Sequence, residues 1–133
     1  MVIDASVAFK WLFPEEGDEE ARRWIGRAEL IAPTLLHAEL GNAIWKRLRR
    51  GEVEASGAEI ADQLEKVASI VRTVDETPMM PRAVELAVEL NHPVYDCVYL
   101  AVAEALDEEL LTADEKFVKA LSASDLGRRV RAL

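Results

Sequence analysis

A chain of 133 residues and 14.8 kDa is sized for one domain, residues 1–133. Half of its residues are apolar and 31% are charged, which excludes a disordered or fibrous chain. Acidic residues outnumber basic ones 25 to 16, a formal net charge of −9, so bulk attraction to nucleic acid is excluded and any such contact must come from a local patch.

Val2 and Ile3 predict a short strand ending at Asp4. Ser6 is placed as the cap of a helix running to about residue 13, where Pro14 stops it. An acidic turn around Gly17 opens a second helix over about residues 18–28. Leu30, Ile31 and Ala32 form a strand closed by Pro33, and Thr34 caps a third helix to about residue 50, ended by Gly51. Ser56 caps a fourth, about 57–70, and residues 71–74 read as a strand. Pro81 starts a fifth helix with Asn91 as its C-cap, and Pro93 starts a sixth, about 94–106. A strand at 110–112, a helix at 115–121 and a final strand at 130–133 complete the chain.

Short apolar strands alternating with amphipathic helices predict an α/β fold in three layers, with a mostly parallel central sheet. In such folds, sites form beyond the carboxyl ends of the strands. One cysteine, Cys97, excludes an internal disulfide, and with only His37 and His92 beside it argues against a Cys/His zinc site. No apolar run approaches the ~20 residues of a membrane span. The opening residues lack the basic-then-apolar pattern of a signal peptide, so a cytoplasmic protein is expected.

Four acids fall at the predicted carboxyl edge. Asp4 closes the first strand and Asp114 follows the strand at 110–112; either alone is explained as a helix cap. Glu39 lies in the first turns of the third helix, in a polar stripe with Asn42 and Lys46 that a solvated face would also explain. Asp96 interrupts the otherwise apolar opening of the sixth helix. Burying a lone carboxylate costs several kcal/mol, and a helix N-terminus offsets only ~0.3–1 kcal/mol, up to ~2 when partly buried. Four carboxylates at one edge repel each other, and a hard divalent cation relieves that. Oxygen donors favour Mg²⁺ or Mn²⁺, and such an ion suits phosphodiester hydrolysis.

Four segments carry a family resemblance. Val2-Ile3-Asp4-Ala5-Ser6-Val7 resembles the opening motif of PIN-domain nucleases, and Pro33-Thr34-Leu35-Leu36-His37-Ala38-Glu39-Leu40-Gly41-Asn42 their second. Tyr95-Asp96-Cys97-Val98-Tyr99-Leu100-Ala101-Val102-Ala103-Glu104 resembles the third, and Leu111-Thr112-Ala113-Asp114-Glu115-Lys116-Phe117 the fourth. Any one is weak; four in register over about residues 2–119 are strong. The small size is most similar to VapC-type toxins of prokaryotic toxin–antitoxin pairs. The resemblance implies a Mg²⁺- or Mn²⁺-dependent endoribonuclease with Asp4, Glu39, Asp96 and Asp114 as catalytic and metal-binding acids. It implies supporting hydrogen bonds from Ser6, Asn42 and Thr112. It also implies an RNA substrate, a homodimer and a VapB-type antitoxin whose tail blocks the site.

The segment Lys46-Arg47-Leu48-Arg49-Arg50 offers an RNA contact through Lys46, Arg47, Arg49 and Arg50, although basic residues also suit a helix C-terminus. Arg128, Arg129 and Arg131 are a second basic group. Trp11, Phe13, Trp24 and Trp45 are assigned to the core, and His37 to a structural role. Two other functions compete with the toxin: a nuclease for RNA processing outside a toxin pair, and a non-catalytic α/β scaffold whose acids only cap helices.

Overall fold

A computed structural model describes residues 1–122 and 124–133. The strands are β1 (Val2–Ile3), β2 (Leu30–Pro33), β3 (Val71–Val74), β4 (Leu110–Thr112) and β5 (Val130–Ala132). They form one all-parallel sheet in the order β3-β2-β1-β4-β5. The inner strands are buried at every residue and the edge strands only in part. That contrast explains the unbroken apolar runs of β1, β2 and β4: both faces are covered.

The helices are α1 (Ala5–Leu12), α2 (Asp18–Arg22), α3 (Leu35–Arg49), α4 (Gly57–Ile70), α5 (Met80–Leu90), α6 (Val94–Ala105) and α7 (Glu115–Leu121). Helix α6 lies on β1, β2 and β4 with α5 packed against it, while α1, α3 and α4 pack in series, with α3 on β2 and α4 on β3. Residues Cys97 to Ala103 of α6 are buried without interruption, as its apolar composition requires. The core joins this run to Ile3, Leu36, Leu40, Leu110 and Phe117.

Local chemistry corrects the expected boundaries. Asp4, not Ser6, caps α1: its carboxylate accepts from the Val7 N–H, because the helix begins directly after the strand. Helix α2 stops at Arg22, and turn bonds lead to Gly26 at φ 78°, a left-handed conformation suited to glycine. Thr34 makes no side-chain cap to α3; its N–H and hydroxyl both donate to Glu76, each at 2.8 Å. Ser56 does cap α4, in a reciprocal box with Glu59. Asn91 ends α5 at φ 48°. Trp11 is buried and Trp24 packs partly buried against the core, but Trp45 is 49% exposed, with Arg49 stacked on its ring.

Candidate active site

Parallel strands put all their carboxyl ends on one edge, and the chain turns there into helices carrying acids. Asp4 follows β1, Asp114 follows β4, Glu39 sits in the early turns of α3 after β2, and Asp96 in the first turn of α6. Asp4 is 7% exposed. Its Oδ1 accepts from Ser6 Oγ at 2.5 Å and from the Val7 N–H at 3.2 Å, and its Oδ2 accepts from Thr112 Oγ1 at 2.5 Å. Each hydroxyl then accepts a backbone N–H from the loop after β4: Ala113 to Ser6 at 2.8 Å, Asp114 to Thr112 at 2.9 Å. Asp114 caps α7 through the N–H groups of Lys116 and Phe117. Both strand-end acids therefore do cap helices, and the same geometry sets each within the field of Asp96.

The acids act on one another. Burial pushes the Asp4 carboxyl up to about 6, against three hydrogen bonds that favour its charge, with Asp96 adding repulsion. Burial also raises Glu39; the Tyr99 hydroxyl opposes the shift, and the charges of Asp96 and Asp4 reinforce it. Asp96 is raised by burial, lowered by His92 and raised by Asp114. Asp96 is thus the common neighbour of the other three.

Two side chains absent from the sequence expectation join the cluster. Tyr99 is buried and donates to Glu39 Oε2 at 2.5 Å. Its position one turn beyond Asp96 on α6 was visible, but the 60-residue separation from Glu39 was not. His92 places Nε2 2.9 Å from Asp96 Oδ2. The i, i+4 spacing to Asp96 was the available signal. His92, Asp96 and Asp114 offer ligand atoms within 4.8 Å of one another. This tight group differs from the four-acid set: Asp4 and Glu39 adjoin it through charge, and their oxygens are held by Ser6, Thr112 and Tyr99.

A cleft of about 450 Å³ opens beside the acids, lined by Ser6, Glu39, Asn42, Lys46, Lys10 and Ala113 among others. Asn42 is exposed there and makes no side-chain hydrogen bond among the described residues. Of the basic segment, Lys46 lines the cleft. Arg47 is held by Glu15 and covers the rings of Phe9 and Phe13, Arg49 covers Trp45, and Arg50 pairs with Glu52. Arg128, Arg129 and Arg131 pair with Asp125, Asp107 and Glu109.

The family profile described as PIN domain matches residues 1–120. The chain belongs to the PIN domain family. Ribonuclease VapC3 of Pyrobaculum aerophilum is 30% identical to this PIN domain over 125 residues, covering 92% of the chain and 95% of that protein. Exonuclease VapC9 of the same organism is 34% identical over 99 residues, 72% of this chain and 71% of that one. The crystal structure of PAE2754 from Pyrobaculum aerophilum superposes with a TM-score of 0.72 and 27% identity, over 98% of this chain and 88% of that one. The VapC resemblance read from four short motifs thus extends over most of the chain. Among the described residues of the PIN domain, no helix is long and apolar enough to cross a membrane.

Proposed function

We propose that this PIN domain is the toxin of a VapBC-type pair, a Mg²⁺- or Mn²⁺-dependent endoribonuclease acting on cytoplasmic RNA. The observation that carries the reading is the convergence of acids from three strand ends on Asp96, with Asp4, Glu39 and Asp96 all holding protons more tightly than free carboxyls. That donor chemistry fits a divalent cation: at neutral pH the ionised cluster is electrostatically unfavourable without one.

Asp96 and Asp114 would hold the ion, with Asp4 and Glu39 completing the negative shell. When bound, it supplies Lewis-acid charge to the phosphodiester. The protein supplies the rest. Ser6 and Thr112 fix both oxygens of Asp4. Tyr99 holds Glu39, whose raised proton affinity suits it to accept a proton from the attacking water. Lys46 and Asn42 flank the cleft where an RNA phosphate would pass. The same acids suit an inhibitory antitoxin segment carrying Arg or Lys, which pairs with carboxylates in place of metal. A homodimer belongs to the proposal; exposed Val84 and Val88, one turn apart on α5, give it an apolar face.

A circular single-stranded RNA tests the reaction, with parent and Asp96→Asn in EDTA, Mg²⁺ or Mn²⁺. Metal-dependent linearisation by the parent, lost in the variant, is expected. Cutting that survives EDTA overturns the metal reading. An intact circle beside trimmed linear RNA would favour the exonuclease mode that the second relative's name describes. Relief of growth arrest by the product of an adjacent small reading frame tests the toxin pairing, and failure of relief overturns it.

A further inference from the structure

The geometry points to His92 as a nitrogen ligand of the metal site, joining Asp96 and Asp114 in a mixed triad that selects a transition ion over Mg²⁺; this rests on the metal-dependent reading above. His92 is held from three sides. Its backbone N–H bonds the Ala87 carbonyl in the turn that ends α5, and Pro93 follows it. Its ring stacks on Phe117 of α7, with centroids 4.7 Å apart and planes at 29°. Its Nε2 edge is thereby turned to Asp96 Oδ2, 2.9 Å away, with 15% of the side chain exposed.

That spacing is slightly wider than a coordination shell. With bonds of about 2.1 Å, neighbouring ligands of a six-coordinate ion lie about 3.0 Å apart and opposite ones about 4.2 Å. The three donors already lie within 4.8 Å, so small side-chain rotations close the shell. A pure carboxylate set suits Mg²⁺. Adding an imidazole nitrogen raises affinity along the series from Mn²⁺ to Ni²⁺ and does little for Mg²⁺. As a ligand His92 would present the Nε2 lone pair and carry its proton on Nδ1.

A hydrogen bond that merely orients Asp96 is the competing role, and it makes a different prediction: losing it weakens every ion alike. Two measurements on the whole chain separate the roles. Pulsed EPR of the Mn²⁺-loaded parent should show imidazole ¹⁴N coupling. Calorimetry with Mg²⁺, Mn²⁺ and Ni²⁺ should show His92→Gln losing about tenfold or more in Ni²⁺ affinity, less in Mn²⁺, and little in Mg²⁺. Mn²⁺ bound without nitrogen coupling, or an equal loss for all three ions, overturns the His92 assignment and leaves the acidic site standing. Failure of the parent to bind Mn²⁺ at all overturns both. The EPR arm uses only the parent, so it stands even if the variant folds poorly.

Discussion

Asp4 is buried, and its charge works against the metal-free fold. The carboxyl ionises at about 6 rather than 3.8. Between those values the folded chain keeps a proton that the unfolded chain has released, so stability falls as pH rises through this window. A shift of roughly two units amounts to about 3 kcal/mol by neutral pH. The Asp4→Asn variant is a near-isosteric stand-in for the protonated acid, with one accepting and one donating edge toward Ser6 and Thr112. The hydrogen bonds that favour the ionised form already enter the shifted pKa, so they are not subtracted again. In EDTA the variant should match the parent within about 1 kcal/mol at pH 4 and exceed it by roughly 3 kcal/mol at pH 7.5, or roughly 10 °C in Tm. Urea unfolding of both proteins across that range measures the difference directly. Saturating Mn²⁺ should narrow or reverse it: an ion at 100 times its Kd adds about 2.7 kcal/mol to the parent, and a neutral amide is the poorer ligand. A stability difference flat with pH, or a variant less stable than the parent at pH 7.5 in EDTA, would refute the reasoning.

Tyr99→Phe removes the hydroxyl that lowers Glu39's proton affinity, so Glu39 should titrate higher and RNA cleavage should fall more at pH 6 than at pH 8; an unmoved acidic limb counts against the role. Lys46→Ala should weaken RNA binding and flatten the log–log salt dependence by about 0.7, measured by titration at several salt concentrations. Arg47→Ala should instead lower stability by about 1 kcal/mol with the salt slope unchanged, since that side chain is engaged by Glu15, Phe9 and Phe13. Ser56→Ala should cost about 1 kcal/mol in thermal unfolding and leave cleavage at the parental rate.

Apart from α2, which ends at Arg22 rather than near residue 28, strand and helix spans were legible because they rest on local patterns: buried β1, β2 and β4 read as unbroken apolar runs, and the Ser56 box and Asn91 are local signals. The errors arose where a side chain had a distant alternative. Ser6 lies too far into α1 to cap it and reaches Ala113 instead. Thr34 is drawn to Glu76, 42 residues away. Trp45 has the composition of a core residue but points from α3 to solvent beneath Arg49. The acids themselves could be placed at the carboxyl edge, because chain order and strand direction fix that edge. What joins them was less legible: Tyr99 to Glu39 depends on how α6 meets α3 in space, whereas His92 to Asp96 had only its i, i+4 spacing as a signal.

The ties that fix Asp4 connect residues 108 and 107 positions apart in the chain, Thr112 to Asp4 and Ala113 to Ser6. During synthesis β1 emerges before β2 and β4, yet it sits between them in the finished sheet. At about 5–20 residues per second, roughly 5–20 s pass between making Ser6 and making Thr112. Until then the nascent chain has neither Asp114 nor the hydroxyl that holds the second oxygen of Asp4. A ribosome that stalls or quits before residue 112 releases a fragment without an assembled acidic cleft. The order of residues along the chain delays any cutting of RNA until β4 and the loop after it have been made, which gives the cell that makes it an interval of safety.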